Sequence, residues 1–308
     1  MSRRHFVLIS LAGLACFVAL ILRKGRKRAF RGEWPVNLAH RGASALAPEN
    51  TIEAFRLAVE AGAGGLEFDV HMTRDGQIVV IHDATVDRTT SGSGAVSEMT
   101  NDELRRFDAG HNFSPDGGST RPYRGRGVRV PTLGEVLEEF PGVAVNIDIK
   151  AGTPGIEETV FGILLDANAL GRALVVSTTH ATVKRFRKVS GGPVSTGASR
   201  WEIGVFYLLS RLRLERLVRP AYDALQVPVL HRGILVVTPH FVCAAHARSV
   251  RVDAWTINEA EEMRRLLDLG VDVIMTDRPG TLAEVLRNRP PGAHAAMSST
   301  MEARPKSA

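Results

Sequence analysis

The sequence predicts an α/β fold: a (β/α)8 barrel with an insertion after the second strand region, preceded by one N-terminal transmembrane helix. Three observations carry this. Short β-branched runs alternate with longer amphipathic runs from residue 33 to residue 289, which is close to the length that eight β-α units occupy. Two of the strand runs alternate apolar with charged residues, so one face of each can pack under helices while the other points into a barrel. And 17 residues at the N-terminus, Phe6 to Leu22, carry no charge. A doubly wound open sheet is the alternative for the body. It is weakened because no glycine-rich dinucleotide turn follows the first strand.

The elements follow in chain order. As a helix, Phe6–Leu22 would span about 25 Å, the thickness of a thin bilayer. A cleaved signal peptide would have a shorter apolar run and a small-residue cleavage site. Here Arg23-Lys24-Gly25-Arg26-Lys27-Arg28 follows directly, and Cys16 behind Gly13-Leu14-Ala15 is a poor lipid-attachment signal. Residues 1–31 therefore read as a single-pass membrane anchor with basic flanks. The greater number of cations on the C-terminal flank places the large C-terminal domain on the cytoplasmic side. The same cations predict attraction to an anionic bilayer.

Residues 33–289 form one domain. Its strand runs are Val36–His40, Leu66–Met72, Ile78–His82, Val143–Ile149, Leu174–Thr178, Val194–Gly197, Ala224–Val227, Val252–Ile257 and Val273–Thr276. That is one run more than the barrel needs. Asp75-Gly76 is a hairpin turn signal, and the gap before Ile78 is too short for a parallel crossover. Ile78–His82 is therefore expected to fold back antiparallel, leaving eight staves. Helix runs are Thr51–Ala61, Leu133–Phe140, Ile156–Ala169, Ala181–Val189, Pro239–Ala247, Ala260–Leu269 and Thr281–Arg287. The first is expected to start with Asn50 as cap and Glu53 completing a capping box. Residues 84–131 have few strand signals and read as an insertion over the barrel mouth, with one short helix near Asn101–Phe107. Residues 290–308, polar and small, read as a disordered tail.

Composition excludes several classes. A chain of 308 residues that is 44% hydrophobic and 23% charged is globular, and two cysteines cannot build a disulfide scaffold. The net charge of +6 invites a nucleic-acid partner, but eight cations and no acid lie in residues 1–31, which leaves the rest of the chain at −2. With no stripe of aromatic and basic residues in that body, no nucleic-acid partner is expected. No protein partner is predicted either.

The chemistry sits at strand ends. Glu67 and Asp69 share one face of their run; Asn146, Asp148 and Lys150 share one face of theirs. Barrel interiors are usually filled by Val, Ile and Leu, so inward carboxylates need a cation between them or a network of lysines. Hard oxygen ligands suit Mg2+ or Ca2+ better than zinc. His40 and His82 stand where strands give way to loops and can serve as general acid and base. His71, His111, His180, His231, His240, His246 and His294 read as structural. Arg41 and Lys150 can grip phosphate oxygens. Two histidines, two cations and a divalent metal point to phosphoester chemistry. A carbohydrate enzyme with paired carboxylates would give the histidines and cations no role.

Leu38-Ala39-His40-Arg41-Gly42, Pro48-Glu49-Asn50-Thr51, Glu67-x-Asp69, Thr73-x-Asp75-Gly76, His82-Asp83, Asp148-x-Lys150, Trp255-Thr256-x-Asn258 and Thr276-Asp277-Arg278-Pro279 occur in that order. Together they resemble the glycerophosphodiester phosphodiesterase family, here as a membrane-anchored member. The resemblance implies a TIM barrel with an insertion, and one divalent cation. It implies hydrolysis of glycerophosphodiesters to sn-glycerol 3-phosphate and an alcohol. By position it makes His40 and His82 the acid/base pair, and Arg41 and Lys150 the phosphate grips. Glu67, Asp69 and Asp148 become metal ligands, with His82 a further candidate. Glu49 is expected near the metal or orienting His40, and Trp255 supports the site. The family's third carboxylate is usually glutamate, and Asp148 is one methylene shorter. A lysophospholipase D-type reaction, releasing lysophosphatidate from a lysophospholipid, is the alternative that a membrane anchor favours. A phosphoester-binding module without catalysis would need a broken site, and both histidines, Glu67 and Asp69 are present.

Overall fold

The computed structural model describes residues 34–150 and 152–289. The expected anchor (1–31), the C-terminal tail (290–308) and His294 lie outside the described residues. Among the described residues, no helix is long and apolar enough to cross a membrane.

Eleven strands are present among these residues: β1 (Asn37–His40), β2 (Gly65–Met72), β3 (Ile78–Val80), β4 (Ala144–Ile149), β5 (Ala173–Val176), β6 (Ser195–Thr196), β7 (Ala224–Pro228), β8 (Leu230–His231), β9 (Ile234–Leu235), β10 (Arg251–Trp255) and β11 (Val273–Thr276). The helices are α1 (Ile52–Glu60), α2 (Asn101–Leu104), α3 (Leu133–Glu139), α4 (Ile156–Asp166), α5 (His180–Ser190), α6 (Arg200–Arg211), α7 (Pro239–Ala247), α8 (Ala260–Asp268) and α9 (Pro279–Arg287).

Eight strands run parallel in the order β6-β5-β4-β2-β1-β11-β10-β7. The two ends meet at one parallel bridge, Gly197 with Ala224, so the barrel is nearly closed. These eight are the staves expected from the sequence. The ninth run folds back, with β3 antiparallel to β2 and Val70 opposite Val80. Gly76, at φ 81°, makes the intervening turn, in a conformation glycine adopts without steric cost.

Strand alternation divides the core. Leu66, Phe68 and Val70 of β2 and Val145, Ile147 and Ile149 of β4 pack outward on Phe55, Val136, Val160 and Leu164 of the helices. A second apolar cluster joins β7, β10 and β11 to α6, α7, α8 and α9. The opposite faces of β2 and β4 carry Glu67, Asp69 and Asp148 into the barrel. The register sets His40 beside Glu67 and Asp69 beside Asp148. The insertion has its own small core: Val86, Val96, Leu104, Ala109, Val128 and Val130 pack on Val79 of β3 and Ile81 just beyond it.

Two local expectations are corrected. Thr51, not Asn50, caps α1, accepting from the Ala54 N–H, because Asn50 is turned to φ 59°. Its side chain serves the site instead. Helix α6 was not among the predicted helices, since Gly204 and its aromatic and β-branched residues are weak helix formers. Its start is marked by a capping box of Ser199 and Glu202, which does appear in the sequence.

Candidate active site

The chain turns sharply after β1. Arg41 sits at φ 54° and Gly42 at φ 85°, and a Cβ on Gly42 would lie 2.7 Å from the backbone of Ala54. This tight approach fixes His40 at the barrel rim. Its Nδ1 is 2.7 Å from Asp277 Oδ1. Asp277 follows β11 and is held in turn by Asn258 Nδ2 at 2.7 Å and Ser44 Oγ at 2.8 Å. Burial opposes the charged ring, but the Asp277 hydrogen bond and the nearby Glu67 outweigh it and raise the His40 pKa above 6.5. Burial also works against the Asp277 carboxylate, yet its bonds to His40 and Asn258 hold it down at about 2.

His82 lies two residues beyond β3. Its Nδ1 is 2.6 Å from Asp83 Oδ1, whose Oδ2 accepts from Arg88 Nε at 2.6 Å. Arg88, supported by burial-opposed hydrogen bonding to His82, keeps Asp83 at about 2. Both histidines thus use Nδ1 on a carboxylate. In the neutral ring that bond favours the Nδ1–H tautomer and leaves Nε2 to exchange protons.

Between them lies a charged network. Arg88, from the insertion, donates to both oxygens of Glu49 at 2.8 Å. Glu49 Oε1 also accepts from Arg41 Nη1 at 3.0 Å. Arg41 Nε stands 3.4 Å from Asp69 Oδ2. Lys150, just beyond β4, places Nζ 2.7 Å from Asp69 Oδ1 and 2.6 Å from Asp148 Oδ2. Asn50 donates to Asp69 Oδ2 at 3.0 Å, and the Arg41 backbone N–H donates to Glu67 Oε2 at 3.2 Å. Glu49 is therefore tied to the two arginines, and no hydrogen bond joins it to His40.

Electrostatics separates the carboxylates. Burial would raise Asp69, but Lys150 and Arg41 beside it hold its pKa down. Burial and then Asp69 push Glu67 up to about 7. Burial outweighs Lys150 and keeps Asp148 above the ordinary range. Asp148 Oδ1 is buried with no hydrogen-bond partner. Among the described residues, no three His, Cys, Asp or Glu side chains already converge as a metal cluster. In chemistry the donor set fits a hard divalent cation. The raised Glu67 and the orphaned Asp148 oxygen are both deficits of positive charge, and all the donors are oxygens.

The sequence-derived residues His40, Arg41, Glu49, Glu67, Asp69, His82, Asp148 and Lys150 all fall at this one mouth. Trp255 ends β10, half-exposed, beside Pro228 in the register and without a hydrogen bond into the network. Asn50, Asp83, Arg88, Asp277, Asn258 and Ser44 are hydrogen-bonded neighbours of these residues beyond the predicted set. Most lie inside motifs already visible in the sequence. Arg88 does not, and only folding brings it to Glu49.

The glycerophosphoryl diester phosphodiesterase family profile matches residues 40–281. A glycerophosphodiester phosphodiesterase of Caldanaerobacter subterraneus subsp. tengcongensis is 37% identical over 257 residues, covering 81% of this chain and 97% of that protein. A lysophospholipase D of Rattus norvegicus is 27% identical over 292 residues, covering 87% and 90%. The solved phosphodiesterase domain of a Mycobacterium tuberculosis protein shares the fold, with TM-score 0.72, 22% identity and coverage of 83% and 100%. An Oleispira antarctica phosphodiesterase solved with the product sn-glycerol-3-phosphate has TM-score 0.64, 25% identity and coverage of 82% and 96%. The ordered motifs, the barrel and these likenesses together establish that the chain belongs to the glycerophosphoryl diester phosphodiesterase family.

Proposed function

We propose that the chain hydrolyses glycerophosphodiesters to sn-glycerol 3-phosphate and an alcohol. The observation that carries this reading is the pairing of two carboxylate-held histidines around a mouth where Arg41 and Lys150 meet buried carboxylates. Arg41 and Lys150 exchange carboxylate partners for phosphate oxygens when substrate enters. His82 takes the proton of the attacking oxygen. His40, whose charged ring is favoured by the Asp277 carboxylate at Nδ1, gives a proton to the leaving oxygen. Glu67, Asp69 and Asp148 would hold one divalent cation, Mg2+ or Ca2+. Such a cation, when bound, draws charge from the phosphoryl group.

Purified full chain should release sn-glycerol 3-phosphate from glycerophosphocholine. EDTA should stop the release, and Mg2+ or Ca2+ should restore it. Full turnover in EDTA would remove the metal from the reading. No glycerol phosphate from any glycerophosphodiester would remove the reading itself. His40→Ala and His82→Ala should each lower kcat by about 10²-fold. For location, residues 1–31 anchor the chain in a membrane with the catalytic body on the cytoplasmic side. The uncharged run and the cation-rich flank behind it support this.

A further inference from the structure

Strand β2 carries one more polar side chain into the mouth than its pair of carboxylates. Glu67, Asp69 and His71 alternate with Phe68 and Val70, so all three share the inward face. Val70 is registered with Ile149, which brings His71 level with Lys150 at the rim. His40 and His82 each meet a carboxylate through Nδ1. His71 instead places Nε2 3.1 Å from the backbone carbonyl oxygen of His82. A carbonyl oxygen only accepts, so Nε2 carries the proton and the His71 ring is the donor.

This bond falls where the strand ladder runs out. β3 pairs with β2 from Ile78 to Val80, and the Ile81 N–H still donates to the Asp69 carbonyl at 3.0 Å. His82 is the next residue. Its ring is held by Asp83, which Arg88 of the insertion holds in turn. Its main chain is held by His71, from the barrel side. A ring fixed at one nitrogen still swings with its main chain, and a shift of about 1 Å can cost about a hundredfold in rate. The His71 bond ties the main chain of His82 to the strand that presents Glu67 and Asp69.

We propose that His71 is a positioning residue, whose Nε2–H fixes the His82 main chain and through it the place of the His82 ring beside the reacting phosphodiester. The inference rests on the phosphodiesterase reading above, with His82 as its base. His71 exchanges no proton in the reaction.

Two replacements of similar length separate the donor from the bulk. His71→Gln keeps an N–H donor, and His71→Met loses it. On the full chain with glycerophosphocholine, His71→Met should lower kcat about tenfold and leave KM within about twofold, because a misplaced base is felt in the transition state and not in binding. His71→Gln should restore kcat to within about threefold of the unmodified chain. An unchanged kcat in His71→Met overturns the proposal. So does a kcat in His71→Gln as low as in His71→Met, or a loss carried by KM alone. NMR of the ring nitrogens in the unmodified chain needs neither turnover nor a folded variant. It should find the His71 proton on Nε2, and a bare Nε2 overturns the proposal while the phosphodiesterase reading stands. No glycerol phosphate from the unmodified chain overturns that reading, and the positioning role with it.

Discussion

Arg88 reaches both sides of the charged cluster at once, through Asp83 to His82 and through Glu49 to Arg41. One forked contact to Glu49 and a further bond from Nε to Asp83 need a planar guanidinium. Arg88→Ala should lower kcat by about ten- to hundredfold through misplacement of the two groups it holds. Arg88→Lys should recover only part of it. Steady-state kinetics of both variants decides, and an unchanged kcat in Arg88→Ala refutes the linkage. Of the two histidines, Asp277 bonds His40 alone. Asp277→Asn keeps the shape but removes the charge that lifts His40, so the His40 pKa should fall. An acid that loses its proton earlier moves the alkaline limb of the rate profile to lower pH. A pH–rate series, with NMR titration of the ring, checks the direction; a stationary limb counts against His40 as the acid. Glu67, Asp69, Asp148 and Lys150 were legible because they alternate with apolar strand residues, and His40, Arg41 and His82 because they stand where strand runs give way to loops; Glu49 was legible only through the family motif. Arg88 was not legible, because its side chain lies 39 residues from Glu49 and only the insertion's fold joins them.

At the scale of elements, periodicity located all eight staves, and the Asp75-Gly76 turn distinguished β3 from them. What it missed has physical reasons. Asn50 looked like a helix cap because its side chain can accept an N–H, but its amide is spent on Asp69 and Thr51 takes the cap. The β8–β9 hairpin escaped because its exposed Leu and Ile lack polar alternation. The insertion's short helix near Asn101 was legible, but not the small core that forms around the fully buried Leu104 of that helix. Val86 of that core lies two residues before Arg88, so loosening the core should act on the site from a distance. Leu104→Ala should cost about 2–5 kcal/mol locally. Hydrogen exchange should then quicken across residues 84–131 while β2 and β4 stay protected, and kcat should fall as in Arg88→Ala. Exchange that quickens equally in the barrel strands would mean the insertion does not open as a separate unit.

The whole chain divides by charge: eight cations in residues 1–31, and a remainder of net −2 that includes the site. Barrel closure was not legible from composition, since it depends on one bridge between Gly197 and Ala224. The division of charge was legible, and it separates two ways of meeting a membrane. Basic residues near an anionic surface contribute about 1 kcal/mol each. That attraction is screened when the Debye length shrinks from about 8 Å at physiological salt to about 3 Å at 1 M. An inserted run of 17 uncharged residues is insensitive to salt. Full chain bound to phosphatidylserine-containing vesicles should therefore stay bound through a wash in about 1 M salt. Chain lacking residues 1–31 should not bind these vesicles at all, and it should not be retained on duplex DNA. Elution of the full chain by salt would make residues 1–31 a peripheral basic arm and would remove the anchor from the proposed location. Strong binding by the truncated body, to vesicles or to DNA, would mean its net −2 hides a basic face that the sum conceals.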